Sequence, residues 1–462
     1  VEPPRSLWWS TLDQPVTPRT ALSSHLDVDV AIVGGGFTGL WCARELKRRD
    51  PALRIAVLEK SVCGFGASGR NGGWASSFYP QSDDAVIERY GHDAYRHLRL
   101  ELQRAIHSLG EAIALEGIDA HFVHGGTLTF ARDEIQAARL SAEVQASHEH
   151  GATASDLVWL SSDEAAERGR VSAALGATYS PHCARLHPAR LVRELAEANE
   201  RLGVTIFENT TVKRIIAGNA TSAAQVITAG ASVHARFIVR ATEGFTTTLP
   251  GERRSVAPIY SLMIATDPQS RAFWDEVGFR NYETFSDDRH LIIYGQRTND
   301  DRVAFGGRGA PYHFGSTVEE RFDESPKVFG ALDSTLRQLF PTLEGDVAFR
   351  WGGPLAMTRD LSPSVVVDYT SGLASAGGYT GDGVVLSYVA ANALADLIVA
   401  PDTETSFTRL PFVQHTSRRW EAEPLRWLGI NVALALAARA DRVEGRGSMS
   451  KASSWLERLT GH

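Results

Sequence analysis

Asp27-Val-Asp-Val-Ala-Ile-Val33, followed by Gly34-Gly-Gly36-Phe-Thr-Gly39, is an apolar strand that runs directly into a glycine-rich turn and then into a helix-compatible run reaching Leu46. The spacing of those glycines decides the fold. Gly34 allows a tight turn, Gly36 lets the backbone approach a pyrophosphate, and Gly39 lets helix and strand pack closely, with the helix N-terminus facing the negative charge. A second strand, Arg54-Ile-Ala-Val-Leu58, ends at Glu59. That acid stands about 20 residues beyond the last glycine, where a dinucleotide-binding unit keeps its ribose-binding carboxylate. Strand, turn, helix and acid together predict an α/β, Rossmann-like unit that binds an adenine dinucleotide.

Composition narrows the setting. Of 462 residues, 43% are hydrophobic and 22% charged, as in an ordinary globular protein large enough for two domains. A net charge of -8 gives no reason to expect nucleic acid or an anionic membrane as partner. Cys42, Cys63 and Cys183 lie far apart, without metal-binding or disulfide-framework spacing, and no metal site is expected. Cys42 reads as a small core residue and Cys63 as a buried thiol. No apolar run approaches the length of a membrane span, and the first residues lack the order of a signal peptide. The expectation is a reduced, cytoplasmic setting.

Along the chain, residues before 27 read as an extended lead-in carrying Trp8 and Trp9. Helical patterns cover 94–113 and 133–148, with a strand at 124–130 between them, and His187–Asn199 is a helix opened by proline in its first turn. Strands follow at 204–207, 211–212 and 237–242. Short alternating strands dominate 256–367, and their antiparallel character argues for a domain inserted into the first. The chain then returns to a parallel-type strand at 373–376 and a helix at 384–399, and closes with two tail helices. The expected architecture is a discontinuous Rossmann-like domain (27–85, 185–255, 360–414), an α+β antiparallel-sheet substrate domain (86–184, 256–359) and a helical tail (415–462).

Gly64-Phe-Gly-Ala-Ser-Gly-Arg-Asn-Gly-Gly73 is a second glycine cluster. Such density is costly in conformational entropy. It makes sense where backbone amides cradle a large planar or charged group, which a flavin requires here and a nicotinamide does not. A third cluster, Gly377-Gly-Tyr-Thr-Gly381-Asp-Gly383, precedes the helix at 384 and would set amides and a positive dipole end against an anion such as the N1–C2=O edge of a reduced flavin.

With GFGASGRNGG, HPARLVRELA at His187, Ala241-Thr242 at a strand end, LFPTLEGDVAFRWGG at Leu339 and GGYTGDGVVLSYVAANALADLI at Gly377, the chain resembles the D-amino-acid oxidase-like flavoproteins, from about Trp8 to Phe412. That superfamily includes glycine oxidase, sarcosine oxidase and γ-glutamylputrescine oxidase, and the second glycine cluster is especially similar to the last of these. The resemblance implies FAD. Gly34, Gly36 and Gly39 would hold the pyrophosphate and Glu59 the ribose. Ala67, Ser68, Arg70, Asn71 and Gly72 would line the pyrophosphate and ring, and Val212 would meet adenine. Ala241 would also touch the cofactor, and Gly378, Tyr379, Gly381, Gly383 and Val384 would meet the isoalloxazine. Asp382 stands where relatives often carry histidine. The histidine and cysteine that anchor flavin covalently in some members are absent, so non-covalent FAD is expected.

The implied activity is oxidation of an amine: hydride passes from the α-carbon to flavin N5, the imine is hydrolysed, and O2 reoxidises the flavin to give H2O2. A substrate carboxylate needs a basic anchor. Arg359 resembles the anchor of sarcosine oxidase in position, Arg308 is the next candidate, and Tyr260, Tyr294 and Tyr379 are candidates for the pocket wall. His290 and His313 are weaker candidates for substrate contact. The lysine that activates oxygen in sarcosine oxidase has no counterpart over 302–307. The favoured substrate is an N-substituted glycine. A γ-glutamylated or plain polyamine is the alternative, and a flavin-binding subunit without turnover is the alternative from another class.

Overall fold

The computed structural model describes residues 4–307, 309–448 and 450. The opening motif forms as its spacing requires, with strand Leu26–Val33, helix Phe37–Arg49 and strand Ile55–Leu58. Gly34 has φ +113°, and a Cβ there would sit 2.3 Å from the carbonyl oxygen of Ala241. A Cβ on Gly39 would lie 2.1 Å from Gly34 O and 3.1 Å from Ile32 Cγ2, so only glycine lets the helix lie this close to its strand.

An 8-stranded sheet grows from this unit. Leu26–Val33 pairs in parallel with Ile55–Leu58 on one side and Ser232–Arg240 on the other, and Thr205–Phe207 and Leu373–Gly377 extend it at either end. The edge strand Ser364–Asp368 is antiparallel. Helix Gly383–Val399 is apolar nearly all round and buried along almost its whole length. It packs on Phe37–Arg49, where Trp41 and Tyr388 meet edge to face at 5.2 Å.

The second sheet, also 8-stranded, takes strands from 127–180 and 257–357. It is antiparallel except at one seam, where Thr284–Asp287 runs parallel to Thr127–Ala131. This departs from the all-antiparallel expectation. The chain enters the sheet in two separate passes, and their meeting edge is not joined by a hairpin. One face packs Tyr260, Leu262 and Phe305 against helix Pro326–Leu339. The other presents Met263, Ala304 and Trp351 to Trp8, Val62 and Ala189.

The lead-in is not simply extended. Leu7–Ser10 is a single helical turn capped by Ser6, with Trp8 and Trp9 buried. Residues 211–212 are not a strand; the next strand is Arg214–Ile216. The first tail helix spans Leu425–Glu444, and Glu444 is held by His290 and Arg139. The second expected tail helix lies outside the described residues.

Candidate active site

A cavity of about 560 Å³ runs along the carboxyl ends of the parallel strands, the edge at which open α/β sheets bind ligands. At one end Glu59 faces the segment Thr210–Val212. Glu59 N–H donates to Phe207 O and Thr210 N–H donates to Glu59 O, which carries the strand pairing onward and brings that segment to the cavity. The Glu59 carboxylate accepts the N–H of Gly35 at 2.8 Å and of Ser61 at 2.9 Å. Burial pushes this carboxyl up, against those two hydrogen bonds.

In the middle, the helix N-terminus at Gly36 meets the second glycine loop. Phe37 N–H donates to Ser68 Oγ at 2.8 Å, and a Cβ on Gly36 would sit 2.8 Å from that same oxygen. Asn71 folds the loop on itself, donating to Ala67 O and Ser68 O and accepting the N–H of Gly73. Trp8 Nε1 donates to Asn71 O at 2.9 Å, so the lead-in pins the loop from behind.

At the far end lie Ala241, Phe245, Pro354 and Leu355, with Tyr379, Gly381, Gly383 and Val384 at the opening of the long helix. The Tyr379 hydroxyl shares a hydrogen bond of 3.1 Å with Thr38 Oγ1. Glu243 forms part of the same wall, with φ +39°. Its carboxylate accepts the N–H of Gly378 at 2.9 Å and of Tyr379 at 3.2 Å. Burial raises its pKa from 4.5 to about 7, although those N–H groups oppose the shift.

The structure thus gathers Gly34, Gly36, Glu59, Ala67, Ser68, Asn71, Val212, Ala241, Tyr379, Gly381, Gly383 and Val384 on one cavity. Four other expected cofactor contacts stand off its wall. Gly39 serves helix–strand packing. Arg70 turns away, bonding Asp323 at 2.6 Å and Gly352 O at 2.9 Å. Gly72 is covered by the Tyr294 ring, and the Gly378 amide is taken by Glu243.

Among the described substrate candidates only Tyr379 lines the cavity. Tyr260 faces the helix-covered side of its sheet, donating to Glu319 O at 3.4 Å, because strand alternation gives the other face to Ser261. Tyr294 stands behind the glycine loop and shares a 2.8 Å hydrogen bond with Ser261 Oγ. Arg359 is paired with Glu421 at 3.1 Å and lies over the Trp420 ring, so the tail supplies its counter-charge. His290 is bound to Glu444, and His313 stacks on Phe322; neither lines the cavity. Arg308 lies outside the described residues. All three cysteines are buried, and burial pushes the Cys63 thiol up.

Sequence reasoning missed Glu243 and Glu320. Glu243 follows the Ala241-Thr242 strand end directly and was findable there; Glu320 comes from a distant short turn with no sequence signal. Lys60 and Lys213 are the lining lysines, both beside the Glu59 end, whereas Glu243 and Glu320 lie toward the other.

The cradle fits an elongated dinucleotide. Glycines stand where Cβ atoms would collide, an acid follows the end of the second strand, and two helices open on the cavity. Fold and site define a dinucleotide-binding protein of the α/β class. The chain belongs to the FAD dependent oxidoreductase (DAO) family, whose model matches residues 29–397, and FAD is its cofactor. It is 28% identical over 419 residues to the gamma-glutamylputrescine oxidoreductase of Escherichia coli K12, covering 89% of this chain and 93% of that one. A probable oxidoreductase, OrdL, of Haemophilus influenzae is 28% identical over 386 residues, covering 82% and 84%. Glycine oxidase from Geobacillus kaustophilus shares the fold with a TM-score of 0.70 at 24% identity, covering 84% of this chain and 99% of that one. No helix among the described residues is long and apolar enough to cross a membrane.

Glu243 makes the flavin-free protein sensitive to pH. An acid kept protonated by the fold binds more protons folded than unfolded, so stability is highest below the ordinary value of 4.5 and declines as pH rises to about 7. Denaturant unfolding of the apoprotein between pH 4 and pH 8 should show less loss of stability with rising pH in Glu243→Gln than in the parent protein, the difference being the Glu243 contribution. An equal slope in the variant would assign the effect elsewhere.

Proposed function

We propose that this protein oxidises an amine with non-covalently bound FAD and O2 as acceptor, and that the substrate is a cationic, polyamine-type amine. The observation that carries the reading is the charge of the cavity wall. Away from the lysines beside Glu59 the ionisable acids on the wall are Glu243 and Glu320, and no arginine lines the cavity among the described residues. The Glu320 carboxylate suits an ammonium group and repels a substrate carboxylate, and Glu243, kept protonated by burial, offers no positive charge to bind one. Likeness to a γ-glutamylputrescine oxidoreductase supports the same class.

Bound FAD supplies the hydride acceptor. The chain would bind and orient: Gly34 and Gly36 at the pyrophosphate, Glu59 at the ribose, Ala67, Ser68 and Asn71 along the middle, and Gly381, Gly383 and Val384 at the ring. The apolar walls of Phe245, Pro354 and Leu355 would exclude water. An N-substituted glycine remains the second reading through Arg308, whose removal would then raise KM for carboxylated amines alone.

Peroxide formation against a panel of polyamines, γ-glutamylated amines and N-alkyl glycines tests the choice. Turnover confined to N-alkyl glycines overturns the cationic assignment. If none of these amines bleaches the flavin anaerobically, the reading of a flavin subunit without turnover gains over both. Arg359→Ala is expected to leave KM for every amine within about twofold, because Glu421 already occupies its guanidinium; exposed or half-exposed pairs of this kind contribute little.

A further inference from the structure

A second cavity, of about 150 Å³, lies on the other side of the Gly64–Gly73 loop. Trp8 and Gln296 line it and donate to Asn71 O and Gly72 O, whereas Asn71 lines the first cavity. Its wall contains two buried arginines. Arg185 is 2% exposed, and its Nε is without a partner. Its Nη2 reaches only Asn299 Oδ1, at 3.4 Å, and its guanidinium lies 4.1 Å from the centre of the Tyr282 ring. No carboxylate pairs with it among the described residues. Burial without a counter-charge pulls its pKa down to about 10.

Arg190 is 9% exposed and its Nε is also unpartnered, although its outer nitrogens reach Asp13 at 2.6 Å and Asp119 at 3.7 Å. The neighbouring His187 is neutral, its pKa pulled down to about 3 by burial. It accepts Arg190 N–H at Nδ1, which leaves Nε2–H to donate to Thr11 Oγ1. Asp300 also lines the cavity but is already bound to Thr298 and Arg302. One acceptor is left over: Gln296 Oε1 is buried and without a partner, because its amide nitrogen serves the loop. A desolvated cation leaves this much free energy unused only where something else completes it.

We propose that this cavity binds a short α-hydroxy or α-amino carboxylate, its carboxylate on Arg185 and Arg190 and its α-substituent donating to Gln296 Oε1. Arginine forks suit the planar carboxylate. The volume admits an acid of glycolate's size. Because Trp8 and Gln296 hold the loop that borders the flavin cavity, the bound acid would be sensed there without touching the reacting amine.

Calorimetric titration of the FAD-loaded protein with glycolate, acetate and inorganic phosphate at constant ionic strength tests this. Saturable one-site binding of glycolate is expected, with acetate at least fivefold weaker for want of a donor to Gln296, and phosphate weaker still. Arg185→Lys, which keeps the charge but loses the fork, should weaken glycolate at least tenfold, and Gln296→Leu should bring glycolate to the level of acetate. Absence of a saturable heat overturns the proposal, as does phosphate binding as tightly as glycolate. Glycolate binding that is unchanged in Arg185→Lys would place the acid elsewhere and overturns it too. Should Arg185→Lys not fold, Gln296→Leu decides alone, because glycolate that keeps its advantage over acetate in that variant overturns the proposal.

Discussion

Gly34→Ala should come off purification colourless. Position 34 has φ +113°, where an L-residue is strained, and the new Cβ would lie 2.3 Å from Ala241 O and 3.0 Å from its carbon. Those atoms are backbone, so relief requires the end of strand Ser232–Arg240 to move away from Leu26–Val33. Ala241, Thr242 and Glu243 follow that strand end and form cavity wall. Strain costs about 1–2 kcal/mol from the backbone conformation alone, and displacement of the wall adds to it. FAD affinity should fall on the order of a hundredfold, read from the flavin-to-protein absorbance ratio and from FAD titration of the apoprotein. Gly230→Ala, where a Cβ meets nothing within 4 Å, is the matched control and should retain its colour. Full flavin content in Gly34→Ala would show that the turn has slack this structure does not contain.

Arg70→Ala should produce a large loss of stability. The guanidinium bonds Asp323 at 2.6 Å, Gly352 O at 2.9 Å and Gly66 O at 3.3 Å, and so ties the second glycine loop to the substrate sheet. Its side chain is 5% exposed and that of Asp323 19%. Breaking a buried pair by removing one partner strands the other charge and costs about 3–5 kcal/mol. Denaturant unfolding should show a loss of that size. Arg70→Lys should recover only part of it, because an ammonium cannot reproduce the fork over three acceptors. Arg70→Met combined with Asp323→Leu should be more stable than Arg70→Ala alone, since it leaves no stranded carboxylate. Equal stabilities for the single and double variants would remove the ion pair from the account.

Much of the cofactor cradle was legible from local spacing. Gly34 and Gly36 act through backbone geometry set within a few residues of each, and Glu59 stands at the end of the next parallel strand, so their places on the cavity follow from the motif itself. The 64–73 and 377–383 clusters likewise announce themselves by an entropic cost that only a close approach explains. Arg70 was the exception inside a readable motif: its partner, Asp323, is 253 residues away, and no local rule connects them.

The substrate side was far less legible. Arg359 looks available in sequence, yet the tail places Glu421 and Trp420 on it. Tyr260 belongs to a strand whose alternation is obvious, but which of its two faces meets the cofactor domain depends on how the sheet is laid against it. Glu243 becomes a titrating group only because the glycine turn closes over its carboxylate, and Arg185 an uncompensated cation only because distant Tyr282 and Asn299 enclose it without a carboxylate.

By itself, then, the sequence determined the nucleotide-binding unit, its dependence on FAD and the order of the glycine turns. Those rest on backbone conformation, which short stretches of chain specify. The tertiary structure alone decided which charges are neutralised, which aromatic rings face inward and where an acid or arginine is left without a partner. Those depend on desolvation and on contacts between residues hundreds of positions apart, and neither is encoded in any local pattern.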